Sequence, residues 1–234
     1  MKDLIGQAIW DYYHRNSPGN LQTETSISHL DDLPIPYLFR EFYLMNPLEK
    51  KAMQLAKGRT LDVGAGAGPH SLYLQNIRGL DLTAIDISPK SIEICRERGI
   101  QKAVCSNLMD FSDEPFDTIL LLMNGTGIFE SLDKTDAYLQ KLHALLTAGG
   151  QILIDGTDIR YMYEQTGGSV ELPEFEYYGE VDFTIHYKGK KDDSVKWLYL
   201  DFETLKESAE ANGFLVEMVE EDRDSYLAKL SHSS

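Results

Sequence analysis

Apolar positions along this chain recur with two periods, and the switch between them divides it into three parts. From residue 59 onward, short apolar runs alternate with amphipathic stretches. Strands are predicted at about 59–64, 82–86, 101–105, 116–123 and 150–155, and helices at 69–78, 89–98 and 133–146. Strand-helix alternation of this kind predicts a parallel sheet with crossover helices on both faces. Phe116 to Met123 is almost wholly apolar, as suits a central strand covered on both sides. Gly99 and Gly149-Gly150 fall where helix ends are expected.

The flanks read differently. Leu4, Ile5, Ala8, Ile9 and Tyr12 have helical spacing, and Asn16-Ser17-Pro18-Gly19-Asn20 breaks that helix. Residues 21–47 read as irregular, with Tyr37, Phe39, Phe42 and Tyr43 among the prolines, before a helix at about 48–57. After Asp155 the run Val181 to Tyr187 alternates, the turn Lys188 to Asp193 follows, and Val195 to Tyr199 completes a hairpin signal. A helix at about 202–212 stops at Gly213, with strands at 214–219 and 225–230. The expected organisation is a helical cap over 1–57, a core over 58–158 and 201–234, and a β-rich insertion over the site at 159–200.

Thr60-Leu61-Asp62-Val63-Gly64-Ala65-Gly66-Ala67-Gly68-Pro69-His70-Ser71 holds the strongest chemical signal. It reads as a buried strand, a loop with three glycines, and a helix opened by proline. Glycine lets the loop adopt angles closed to other residues and lets a ligand approach the main chain. The N-terminus of the next helix faces the same spot. The dinucleotide fingerprint G-x-G-x-x-G fails from either Gly64 or Gly66, because the sixth position is Pro69 or Ser71. Asp62 would repel a pyrophosphate but suits a ligand carrying an ammonium and a sulfonium. Leu82 to Asp86 is a second strand ending in an acid, 22 positions after Gly64. A carboxylate there can accept two hydrogen bonds from a ribose diol.

The Asp-x-Gly-x-Gly-x-Gly pattern with Asp86 resembles class I S-adenosylmethionine-dependent methyltransferases. The resemblance implies a doubly wound, Rossmann-like α/β fold with a seven-stranded, mostly parallel sheet whose last strand is antiparallel. It implies S-adenosyl-L-methionine as cofactor, seated on Asp62, Gly64, Ala65, Gly66, Asp86, Ile87, Asn107, Leu108, Met123 and Asn124. Asn107 and Leu108 would lie beside the adenine, and Met123 and Asn124 where cofactor and acceptor meet. Methyl transfer from a sulfonium is an in-line displacement, so the protein mainly supplies alignment and a desolvated pocket. No catalytic residue is therefore singled out. Rival readings are a non-catalytic cofactor-binding protein and a nucleotide-dependent oxidoreductase.

The remaining features narrow the acceptor. The formal net charge is −16, and residues 158–234 carry 8 Lys and Arg against 18 acids. Such a surface repels a phosphate backbone, so nucleic acid is disfavoured as a partner. Residues 124–127 are Asn-Gly-Thr-Gly, not the Asn/Asp-Pro-Pro-aromatic of nucleobase amino-methyltransferases, and no Pro-Cys nucleophile is present. Both point to a small-molecule acceptor. Tyr12, Tyr13 and Tyr161 are the candidate acceptor contacts, and His14 and His186 are candidate bases. Asn124, Asp155 and Asp158 could surround a divalent cation, but loop capping is the simpler role and no metal is expected. Cys95 and Cys105 lack metal or redox spacing and suit a reduced cytoplasmic protein; no apolar run spans a membrane.

Overall fold

The computed structural model describes residues 2–165 and 167–233. In chain order the elements are α1 (Leu4–Tyr13), β1 (Leu21–Thr25), β2 (Ser28–Asp32), α2 (Pro47–Leu55), β3 (Thr60–Val63), α3 (Pro69–Asn76), β4 (Leu82–Asp86), α4 (Pro89–Glu97), β5 (Ala103–Cys105) and β6 (Phe116–Leu121). There follow α5 (Leu132–Leu145), β7 (Leu146–Thr157), β8 (Glu180–Tyr187), β9 (Lys190–Lys191), β10 (Val195–Leu198), α6 (Phe202–Ala211), β11 (Phe214–Asp222) and β12 (Ser225–His232).

Seven strands form the main sheet among the described residues, in the order β11-β12-β7-β6-β3-β4-β5. The pairs from β7 to β5 are parallel, and β12 is antiparallel to both β7 and β11. This is the doubly wound, Rossmann-like sheet expected from the strand-helix rhythm. Its two faces carry separate apolar cores. One gathers Phe116, Ile119, Leu121, Leu139, Leu142 and Leu205 under α5 and α6. The other gathers Ala52, Met53, Leu74, Ile92, Leu120 and Leu153 under α2, α3 and α4. Strand order reverses between β3 and β6, which pair side by side with their crossovers on opposite sides. In open sheets of this type ligands bind outside the carboxyl ends of the strands at such a point.

The stretch expected to be irregular at 21–47 departs from that reading. Residues 21–32 form the hairpin β1-β2, and β1 pairs antiparallel with β8 across five residues. The second sheet runs β10-β8-β1-β2, with β9 on β8. Of β1 and β2 only Leu21 is fully buried, so neither strand carries the apolar alternation that would have announced it. The N-terminal segment and the insertion after β7 are thus parts of one layer. Beneath it α1 packs Leu4, Ala8 and Ile9 with Leu21, Ile94 and Tyr187.

Candidate active site

β3 delivers the glycine loop to the carboxyl edge of the sheet. Gly64, Gly66 and Gly68 have φ of 74°, 56° and 76°, values that an L side chain rarely adopts. A Cβ on Gly64 or Gly66 would point into open space, whereas one on Gly68 would strike Ile100. The first two glycines therefore keep a concave stretch of backbone bare for a ligand. Gly64 and Ala65 both donate their N–H to the Ile85 carbonyl, at 2.9 and 3.1 Å, which stitches the loop to β4. Asp62 is buried and accepts from the Ser71 hydroxyl at 2.6 Å.

Asp86 ends β4 half-buried. Its two oxygens accept the Gly66 and Ser88 N–H groups, each at 2.8 Å. Burial pushes its carboxyl up to about 6, although both backbone donors favour the charged form. Asn107 is exposed beyond β5, and its Oδ1 accepts the Met109 N–H at 2.8 Å. Leu108 is buried beside it, and Ile87 is exposed.

β6 ends in two consecutive left-handed residues, Met123 with φ 67° and Asn124 with φ 60°. Non-glycine residues hold such angles at a cost, and the surroundings must impose them. Here the Asp155 carboxylate does so, accepting the Met123 and Gly125 N–H groups at 3.0 and 2.9 Å. Among the described residues the buried Asn124 Oδ1 has no partner, and its Nδ2 reaches the Leu198 carbonyl only at 3.5 Å.

A cavity of about 400 Å³ joins these parts. Its floor is Val63, Gly64, Ile85 and Asp86, and its sides include Ile87, Ser106, Asn107 and Leu108. Gly127, Ile128, Glu130 and Tyr138 close the opposite wall, and Val195, Lys196 and Trp197 of β10 form the roof. Asp62 of β3, and Ala65, Gly66, Met123 and Asn124 of the adjoining loops, do not line it. Tyr12 and Tyr13 border a separate surface hollow with Arg15, Ser17 and Pro18, and both rings lie near Phe39. Tyr161 stands exposed past β7. The structure does not bring these tyrosines to the lining. His14 and His186 contact Glu97 and Glu24, at 3.0 and 2.9 Å, on elements away from the cavity.

Asp155 and Asp158 are occupied within the protein, Asp158 accepting from the Arg160 N–H and the Tyr178 hydroxyl. Among the described residues no group of three or more His, Cys, Asp and Glu is arranged around a metal position. Sequence reasoning missed the roof and the far wall. Trp197 was legible only as one residue of an alternating strand, and Glu130 and Tyr138 carried no motif.

It also missed a buried ionic cluster beneath the glycine loop. Arg40 forms a bidentate pair with Glu49, both almost wholly buried, and Glu49 also accepts from His70 Nε2 at 2.6 Å. Burial drives the His70 imidazole down to about 4, so it is a neutral donor here.

A bare glycine loop, an acid at the next strand tip and a roofed cavity at the carboxyl edge define an α/β enzyme for a nucleoside-bearing cofactor. The chain belongs to the S-adenosylmethionine-dependent methyltransferases. Residues 61–154 match the family model described as a methyltransferase domain. A crystal structure of an S-adenosylmethionine-dependent methyltransferase from Bacteroides fragilis, in complex with S-adenosyl-L-homocysteine, is 42% identical with a TM-score of 0.92, covering 100% of this chain and 96% of that one. An uncharacterized methyltransferase of Staphylococcus carnosus (strain TM300) is 29% identical over 177 residues, 75% of this chain and 79% of that protein. An S-adenosylmethionine-dependent methyltransferase from Clostridium acetobutylicum ATCC 824 shares the fold at a TM-score of 0.61 and 14% identity, over 82% of this chain and 94% of that one.

S-adenosylmethionine is the cofactor, and the residues present fit it. The open cradle over Gly64 and Gly66, the half-buried Asp86 and the apolar side walls suit a nucleoside bearing a charged tail. No described helix is long and apolar enough to cross a membrane.

Proposed function

We propose that this enzyme methylates a small-molecule acceptor admitted beneath the second sheet. The cavity carries the proposal: Val195, Lys196 and Trp197 of β10 line it together with the strand-end loops, and its volume of about 400 Å³ is within the usual size range of small-ligand sites. A cavity of this size suits a small acceptor better than a polymer. The net charge of −16 also disfavours a nucleic-acid acceptor.

In this reading Asp86 accepts the ribose hydroxyls, with Ile87, Asn107 and Leu108 beside the base. Gly64, Ala65 and Gly66 hold the amino-acid tail against bare backbone, and Asp62 supplies negative charge beneath it. Met123 and Asn124 stand where the acceptor meets the methyl group. The bound cofactor supplies an activated methyl on a sulfonium. The chain aligns the acceptor and desolvates it, the main tasks in an in-line displacement. The domain assignment follows: the core binds the cofactor, while residues 1–57 and 159–200 share the second sheet and set the acceptor.

Two measurements test this. S-adenosylhomocysteine should raise the thermal midpoint by mass action while NAD should not. Incubation of the loaded enzyme with a panel of small amines, phenols and carboxylates should release S-adenosylhomocysteine for at least one class. Turnover confined to RNA or DNA would overturn the small-molecule reading.

A further inference from the structure

The surface hollow at the C-terminal end of α1 takes no part in methyl transfer. Tyr12, Tyr13, Arg15, Ser17 and Pro18 line it, and its volume is about 530 Å³, within the range of small-ligand sites. α1 runs alongside α4. At its start a Cβ on Gly6 would strike the Ser88 hydroxyl, just past Asp86. At its end His14 meets Glu97, the last residue of α4, at 3.0 Å. The nine residues of α4 span roughly 13 Å. A molecule in the hollow is therefore about one helix length from the carboxyl edge, beyond reach of the methyl group.

The loop that forms the hollow is held firmly. Arg15 and Ser17 have left-handed φ values of 55° and 45°, which cost energy in residues other than glycine. Between them Asn16 donates its N–H to the Asp11 carbonyl at 2.8 Å and its Nδ2 to Asp11 Oδ1 at 3.0 Å. Lys188 Nζ and the Tyr187 hydroxyl donate to Asp11 Oδ2 at 2.7 and 3.0 Å, so the charge of this buried acid is met inside the protein. Arg15 differs. It is exposed, and among the described residues its guanidinium makes no ion pair or hydrogen bond. On a chain of net charge −16, the hollow thus offers an unpaired cation beside two tyrosine rings. A planar aromatic carboxylate meets both features. Its oxygens can take two parallel bonds from the guanidinium, and its ring can stack on a tyrosine face.

Behind the hollow, packed side chains lead to the glycine loop. Tyr12 and Tyr13 lie against Phe39, with ring centroids 4.9 and 6.4 Å away. The Arg98 guanidinium lies over the Phe39 ring at 5.0 Å and donates to the Ala67 carbonyl, between Gly66 and Gly68. A ligand that fixes the two tyrosines restrains Phe39 and, through it, the strut that holds Ala67. We infer that the hollow is an effector site for a planar aromatic carboxylate, whose binding tightens the cofactor's through Phe39 and Arg98.

The test uses 2-naphthoate as the probe and 2-naphthamide as its neutral isostere, by calorimetry on the full chain. The wild type should bind the carboxylate about tenfold more tightly than the amide. Arg15→Asn removes the charge with a residue that tolerates left-handed backbone, and it should abolish that preference. Tyr13→Ala should weaken both probes. No binding by the wild type, or a preference that survives Arg15→Asn, would overturn the site. Saturating 2-naphthoate should tighten S-adenosylhomocysteine about fivefold, and the reverse effect should have the same size. Arg98→Gln should keep the affinity for 2-naphthoate but bring that factor close to one. Each factor is a ratio on one protein sample, so a partly unfolded variant does not disturb it. No tightening in the wild type, or an unchanged factor in Arg98→Gln, would overturn the effector role. A factor that persists in Arg15→Asn would place the probe in the methyl-transfer cavity and overturn the proposal as a whole.

Discussion

Trp197 packs its indole against the bare Cα of Gly127, so closely that a Cβ on Gly127 would overlap the ring. The contact joins the second sheet to the loop after β6, and both residues line the cavity. Gly127 does not have a positive φ; glycine is needed there for close approach. The adjoining bond from the Thr126 hydroxyl to the Leu198 carbonyl, at 3.0 Å, fastens the same seam.

Gly127→Ala should therefore displace Trp197 and deform the roof. Overpacking of this kind costs roughly 1–3 kcal/mol, little enough for the fold to survive. S-adenosylhomocysteine should bind about tenfold more weakly, and its effect on tryptophan emission should shrink. Trp10 and Trp197 are the two tryptophans, so a Trp10→Phe background isolates the signal. Unchanged affinity in Gly127→Ala would show that the roof does not touch the cofactor.

Asp86→Ala tests the floor. Loss of charge-assisted bonds to the ribose should cost about 1.5–3 kcal/mol, or roughly 10- to 150-fold in affinity. The carboxylate also accepts the Gly66 and Ser88 N–H groups, so the variant should loosen the glycine loop as well. Asp86→Asn keeps one acceptor and should fall between the wild type and Asp86→Ala by calorimetry.

The core of the fold was legible because its signals are local. A parallel sheet buried on both faces writes continuous apolar runs, and Pro69 and Pro89 mark the first turns of α3 and α4. The glycine loop and Asp86 were legible because unusual backbone angles and an acid at a strand tip leave residue-type signatures. What escaped depends on pairing between distant segments. β1 meets β8 across more than 150 residues, and a half-solvated strand gives no apolar period to betray it. Glu130, Tyr138 and Trp197 reach the cavity only through that tertiary arrangement. The helical pattern of α1 was plain, but nothing in it told that Tyr12 and Tyr13 would settle near Phe39.

The buried Arg40–Glu49 pair yields a stability prediction. Both side chains are almost fully enclosed, and Arg40 also donates to the Tyr37 carbonyl at 2.6 Å. Removing one partner strands the other charge, which typically costs 3–5 kcal/mol. Arg40→Met should therefore destabilise by about that amount in urea unfolding. Arg40→Met with Glu49→Leu should recover most of it, since an apolar pair of similar volume is often tolerated. A double variant no more stable than Arg40→Met would mean that His70, left without its Glu49 acceptor, carries much of the cost.

Burial holds the Asp86 carboxyl at about 6, above its ordinary value of 3.8. For stability the sign is fixed by linkage. A carboxyl raised on folding stabilises the native state below its unfolded value, and that contribution is lost as pH rises through about 6. Cofactor binding runs the other way, because a ribose diol donates its hydrogens and favours the charged carboxylate. As pH falls through about 6 the native Asp86 takes up a proton and loses that acceptor capacity. S-adenosylhomocysteine should therefore bind about tenfold more weakly at pH 5 than at pH 7.5, with one proton taken up by the free protein. Calorimetry in two buffers of different ionisation enthalpy would count that proton. Asp86→Asn should flatten the dependence, leaving one weaker affinity across the range. A wild-type affinity constant from pH 5 to 7.5 would show that Asp86 is already ionised in the free enzyme, or that it does not hold the ribose.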